Sequence, residues 1–236
     1  MFVNYAHRGA SAYAPENTLS SFYLGLQQQA NGIETDVQRS KDGVLVLFHD
    51  KTMDRVTDCT GSVKDYTWEE LSKLLVYGDK EKQFRPDKLV TLEQFLYCFS
   101  HLDLTFAIEM KERNLAEEIL QKVKKYAVLK KCIFTSFVWE DLEEIRRDCP
   151  EARLGYLTED TSQETAEKIL SIGGEQICMK AELLTPELAE CYHKEGLAVR
   201  AWGVTKPEMI SQVIKSGADA GMTVNFPDKL FPYMQL

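Results

Sequence analysis

The chain has 236 residues, 44% hydrophobic and 28% charged, with a formal net charge of −9. That length suits one large domain or two small ones, with ample core, and the composition is that of an ordinary globular protein. The acidic balance argues against a nucleic-acid partner, which calls for clustered Lys and Arg. Short apolar runs and amphipathic segments alternate along the chain. A first strand is predicted over 2–6, a helix over 18–29 and a second strand over 33–37. Asp42-Gly43 then leads into a ninth strand-like run over 44–48; the pair is a preferred two-residue hairpin turn, since both positions need positive φ. Helices are predicted over 68–75 and 92–99, opened by Thr67 and Thr91 as caps with Glu70 and Glu93 in the first turn. The polar stretch 77–88 between them reads as a loop. From there strands over 106–110, 133–137, 153–157, 176–179, 198–202 and 220–224 alternate with helices over 115–126, 139–148, 162–171, 186–195 and 207–215. Parallel pairing in an α/β fold follows, and eight strand slots favour a (β/α)₈ barrel over an open sheet. About 65 residues between the second and third barrel strands exceed one crossover, so 39–104 reads as a hairpin and helical insertion within a single domain, 1–236.

No run approaches the roughly 18 apolar residues of a membrane helix, and too few residues precede His7 for a signal peptide. The six cysteines are scattered, without a CxxC pair or zinc spacing. A soluble chain in a reducing cytoplasm is therefore expected, with no stable membrane insertion.

The chemistry-bearing residues stand at the ends of apolar runs. If Asp42 and Gly43 alone make the turn, Lys41 pairs with Val44, and counting outward sets Asp36 opposite His49. Glu34, two residues earlier on its strand, shares that face. A lone carboxylate is usually a solvated one, but Glu34, Asp36 and Glu109 sit in or beside core-like strands, where uncompensated charge is costly. Oxygen donors without Cys or His at ligand spacing favour Mg²⁺ or Ca²⁺ over zinc, with Mn²⁺ a further option. Lys111 shares the face of Glu109 and either reaches a phosphate oxygen or simply pairs with that acid. His7-Arg8-Gly9 closes the first strand with a proton carrier, a planar fork suited to phosphate and a residue that permits a tight turn. His101 and His193 lack such company and read as bystanders.

His7-Arg8-Gly9, Pro15-Glu16-Asn17-Thr18, Glu34-Thr35-Asp36-Val37, His49-Asp50, Arg55-x-Thr57 and Glu109-x-Lys111 together resemble the glycerophosphodiester phosphodiesterase family. Weaker echoes are Thr91-Leu92-Glu93, Thr135-Ser136-Phe137, Trp202 within Arg200-Ala201-Trp202-Gly203-Val204, and Gly217-Ala218-Asp219 leading to Pro227. Val90 stands where the family commonly has Pro, and 220–225 carries one residue more than the usual pattern. The resemblance implies a TIM-like barrel that hydrolyses glycerophosphodiesters to sn-glycerol 3-phosphate and an alcohol. It also implies a divalent cation on Glu34, Asp36 and Glu109, with His7 and His49 as the general acid–base pair; of the two, His7 is read here as base and His49 as acid. Arg8 and Lys111 would hold the phosphate, with Glu16 a further site residue. Trp202 would either pack on glycerol or serve as a core aromatic, and Asn17 is expected to cap the first helix.

Two rivals remain. One is a lipid-cleaving enzyme of the same chemistry, of lysophospholipase D or phosphatidylinositol type, which would need an apolar rim. Tyr66, Trp68, Tyr77 and Phe84 could supply that rim, although a small core of the insertion's own is the preferred reading. The other is a non-catalytic phosphodiester-binding barrel, against which the complete set of acids and histidines speaks.

Overall fold

Val3–His7 forms β1 and runs parallel to both Gly32–Arg39 (β2) and the last strand of the chain, so the sheet closes on itself. A computed structural model describes residues 1–78 and 84–235. After β2 come the short strands β3 (Leu45–Leu47), β4 (Leu75–Val76) and β5 (Asp87–Lys88). The barrel resumes with β6 (Thr105–Met110), β7 (Cys132–Ser136), β8 (Arg153–Thr158), β9 (Gln176–Lys180), β10 (Ala198–Val204) and β11 (Gly221–Val224). The closed order is β1-β2-β6-β7-β8-β9-β10-β11, all parallel, with β3 added antiparallel to β2. The eight expected barrel strands all form, as does the expected (β/α)₈ architecture.

Helices connect the strands. α1 (Leu19–Gln27) follows β1; α2 (Trp68–Leu71) and α3 (Leu92–Phe99) lie in the insertion. α4 (Ala116–Lys125), α5 (Trp139–Asp148), α6 (Gln163–Ser171), α7 (Pro186–Lys194), α8 (Met209–Lys215) and α9 (Pro227–Leu230) complete the set. Their apolar faces pack on the outside of the barrel, where Phe22, Phe95 and Phe106 meet edge to face with centroids 4.9 and 5.5 Å apart. A separate cluster fills the insertion: Val46, Phe48, Met53, Val63 and Leu71 are buried there, with Tyr66 and Trp68 packed against them. Those two aromatics therefore belong to the insertion's own core, as preferred above.

Three expectations need correction. The helix from Trp68 ends at Leu71, and Leu75–Val76 pairs instead with Asp87–Lys88, inside the stretch read as a loop. Residues 79–83 of that stretch lie outside the described residues. The hairpin register is off by one: Val37 pairs with Leu47 and Arg39 with Leu45, which sets Asp36 opposite Phe48 and not His49. The loop has three residues, because Ser40 closes it by donating to and accepting from Val44 while Gly43 alone takes positive φ (86°). Finally, the extra residue noted near the last strand is not a fault in β11, which pairs regularly with β1. The irregularity falls in β10, between Ala201 and Val204, where Gly203 adopts φ 72° and a bulge forms.

Candidate active site

The C-terminal ends of β1, β2 and β6 supply the first side chains. His7 is the last residue of β1, and the next two residues, Arg8 (φ 55°) and Gly9 (φ 85°), are both left-handed. A Cβ on Gly9 would lie 2.4 Å from the Ser21 backbone, so only glycine lets β1 turn this tightly onto α1. The turn swings the Arg8 side chain back over the barrel mouth. There its Nε lies 3.1 Å from Asp36 Oδ2 and its Nη1 3.0 Å from Glu16 Oε1. The Arg8 N–H donates to the Glu34 carbonyl at 2.9 Å. A left-handed Arg costs conformational energy, and these contacts hold it.

Glu34 and Asp36 alternate along β2, and Asp36 is in register with Glu109 of β6. The three carboxylates are buried, with one oxygen from each lying within 4.8 Å of the others. Lys111, just past β6, sits with Nζ 2.7 Å from Glu109 Oε1 and 3.8 Å from Asp36 Oδ1. Burial beside Asp36 and Glu109 pushes Glu34 well above the usual carboxylate range, and burial beside Asp36 raises Glu109 as well. Asp36 goes the other way: against its burial, Arg8 and then His49 hold it down to about 2. Three carboxylates this close cannot all carry charge at low cost unless a cation joins them. Asp36 Oδ1 is moreover buried without a hydrogen-bond partner. The all-oxygen donor set therefore fits a hard divalent ion.

The two histidines flank this triad on one cavity of about 250 Å³, whose wall also includes Glu34, Glu109, Arg200 and Trp202. His7 Nδ1 lies 2.5 Å from Asn225 Oδ1, an acceptor, so Nδ1 carries the proton. His7 Nε2 is 3.9 Å from Glu34 Oε2. Desolvation and then the Arg8 charge push His7 down to about 3, which leaves the ring neutral. His49 follows β3, beyond the paired residues of the hairpin, and reaches the cavity even though the expected register fails. Its Nδ1 lies 2.6 Å from Asp50 Oδ1. Asp50 accepts from Arg55 Nε at 2.5 Å, and Arg55 in turn donates to both Glu16 oxygens at 2.7 and 2.8 Å. His49 and Arg55 hold Asp50 well below the usual range, so it stays ionised. A continuous chain of charges thus runs from Asp36 through Arg8, Glu16, Arg55 and Asp50 to His49.

All nine residues singled out from sequence gather at this end of the barrel. Glu16 stands behind Arg8, both of its oxygens taken by guanidinium groups. Trp202 forms part of the cavity wall, donates Nε1 to the Cys178 carbonyl at 3.0 Å and meets Phe137 edge to face at 5.2 Å. Asn17 does not cap α1. Thr18 does, in a reciprocal box with Ser21, while Asn17 Nδ2 donates to Asp36 Oδ2 at 3.0 Å and its Oδ1 accepts from Thr35 at 2.8 Å. The motifs already contained Asn17, Asp50 and Arg55, but nothing in their spacing showed that they orient other side chains. Arg200 and Asn225 lay within stretches noted for Trp202 and for the last strand, but neither was singled out as a site residue.

Comparison with known proteins gives a consistent result. A family model described as the glycerophosphoryl diester phosphodiesterase family matches residues 7–229. A glycerophosphodiester phosphodiesterase from Caldanaerobacter subterraneus subsp. tengcongensis is 32% identical over 95% of this chain and 94% of its own. Among solved structures, a glycerophosphodiester phosphodiesterase from Agrobacterium tumefaciens superposes with a TM-score of 0.85 at 26% identity, covering 98% of this chain and 99% of the other. A phosphodiesterase from Oleispira antarctica, solved in complex with the product sn-glycerol-3-phosphate, gives 0.84 at 25% identity, covering 98% and 96%.

Proposed function

The chain belongs to the glycerophosphoryl diester phosphodiesterase family, and from that premise we propose that it hydrolyses glycerophosphodiesters to sn-glycerol 3-phosphate and an alcohol. The observation that carries the reading is the buried trio Glu34, Asp36 and Glu109 with a histidine held through its Nδ1 on either side. Glu34, Asp36 and Glu109 would hold a divalent cation, Mg²⁺ or Ca²⁺, whose positive charge offsets that of the phosphate oxygens. Arg8 and Lys111 hold the non-bridging oxygens, with Glu16 setting the direction of Arg8. His7 is the general base: it is neutral, its Nδ1 proton is committed to Asn225, and Nε2 is free to accept. His49 is the general acid, passing a proton from Nε2 to the departing alkoxide while the ionised Asp50 offsets the charge of the protonated ring. The attacking oxygen, of water directly or of the glycerol hydroxyl with water then opening the cyclic ester, forms a bond to phosphorus as the bond between phosphorus and the alcohol oxygen breaks; the proton of the attacking group ends on His7, and that of His49 ends on the alcohol. The insertion, 39–104, belongs to the same domain in this reading because it delivers His49.

No helix among the described residues is long and apolar enough to cross a membrane. The cysteines are all unpaired, which favours a cytoplasmic site of action. The test is release of glycerol phosphate from glycerophosphocholine, glycerophosphoinositol and a lysophospholipid, each with Mg²⁺, Ca²⁺, Mn²⁺ or EDTA. Turnover of the water-soluble diesters, abolished by EDTA, is expected. Preference for the lysophospholipid would transfer the chain to the lipid-cleaving rival, and no turnover of any diester with any ion would leave only a binding role. His49→Ala is expected to keep ion-dependent stabilisation while losing about 10²–10⁴ in kcat.

A further inference from the structure

Below the three acids the barrel interior holds an arginine. Arg200 of β10 is 1% exposed, its guanidinium carbon 5.0 Å from the centre of the Tyr5 ring. Its Nε and Nη1 are buried without a hydrogen-bond partner. Its near neighbours do not answer its charge: burial raises the Tyr5 hydroxyl and the Cys178 thiol, so both are neutral at physiological pH. A buried cation usually sits against a carboxylate, because desolvating it alone is costly. Here the carboxylates whose fields reach it are Glu34 and Glu109, across the cavity whose wall all three share.

The charge count gives this placement a purpose. Three acids meet two cations in direct contact, Arg8 and Lys111. Arg8 is shared with Glu16, which with Arg55 and Asp50 adds two acids and one cation to the set; Arg200, from inside the barrel, brings these five acids and four cations to within one negative charge of neutrality. Once a divalent ion joins, the set becomes net positive, which suits a phosphodiester anion and the further negative charge that builds up as it is attacked.

We propose that Arg200 is a positioning residue for the reaction. It is a fixed internal cation that makes the acids hold the divalent ion more loosely and the ion-loaded site hold the substrate phosphate more tightly. This rests on the metal-dependent phosphodiesterase reading above. The experiment titrates chelator-stripped protein at pH 8 with Mn²⁺ in a calorimeter, then titrates the Mn²⁺-saturated protein with sn-glycerol 3-phosphate. Arg200→Met and Arg200→Gln remove the charge at similar length, one apolar and one polar, so either decides if the other fails to fold. Both are expected to bind Mn²⁺ about tenfold more tightly and glycerol phosphate about tenfold more weakly. Arg200→Lys is expected to return both values toward wild type. Affinities that weaken together would mark Arg200 as mere packing, and unchanged affinities would mark it as idle; either overturns the proposal. Wild-type protein that takes up no Mn²⁺ would overturn the parent reading as well, a result distinct from both.

Discussion

Asn17 takes a left-handed conformation, φ 54°, to place one amide between Asp36 and Thr35. The sequence could not reveal this, because Pro15-Glu16-Asn17-Thr18 offers two consecutive residues with N-cap character and local propensity favours both. What separates them is Asp36, nineteen positions away in the chain. Replacing Asn17 with Ala leaves the buried Thr35 hydroxyl without its acceptor and puts Ala in a left-handed conformation. A loss of about 1–3 kcal/mol is expected, read as a lower denaturant midpoint at unchanged slope. A midpoint equal to that of wild type would show that the amide contributes nothing. The acids were easier to find: charged residues alternating with Ile33, Thr35 and Val37 in an apolar strand announce themselves, since burial of charge demands a reason. Arg200, set among Val199, Ala201 and Trp202, offered the same signal but no role until closure of the barrel brings β10, β11 and β1 side by side. Asn225, an Asn after a strand, could not be found this way.

At the level of elements, the periodic segments were legible and the joins were not. The Asp-Gly preference predicted the hairpin, but a three-residue loop with glycine in its last position satisfies the same composition. The choice fell to Ser40, whose side chain bonds Val44 and Asp42, and to the Lys41 N–H, which donates to the Tyr66 carbonyl. Both are contacts that pattern counting does not see. The Glu93 reading shows a similar limit. It sits in the first turn of α3 as expected, yet its carboxylate also meets Lys122, at 2.5 Å, and Lys125 of α4. Those lysines pull Glu93 from the ordinary value of 4.5 down to about 2. Because the folded-state value is depressed, the stabilisation is complete above the unfolded value and fades as pH falls between them. Glu93→Gln should cost up to about 1 kcal/mol at pH 7, less in high salt, with the gap to wild type narrowing steadily from pH 4.5 to pH 3. Denaturant unfolding at several pH values measures it; a gap independent of pH would assign the loss to packing of α3.

For the whole molecule, closure was legible because eight strand-and-helix units in chain order leave few alternatives for a parallel sheet whose strands are mostly apolar. The partition of the interior was less so, since hydrophobic residues of 39–104 and those of the barrel have the same composition. Leu45, Leu47 and the apolar face of α3 join the barrel's cluster, which surrounds the helices and strands that carry His7 and the acids, while Val46, Phe48, Met53 and their neighbours form a second, smaller cluster that underlies the segment carrying His49. His49 and His7, the proposed proton donor and acceptor, therefore ride on bodies of unequal cohesion. Gentle warming can loosen the smaller one in a subglobal opening while the larger stays shut. Catalysis should then fade, and return on cooling, several degrees before far-UV ellipticity collapses. Were inactivation and loss of ellipticity to coincide, the two bodies would be melting as a single cooperative unit.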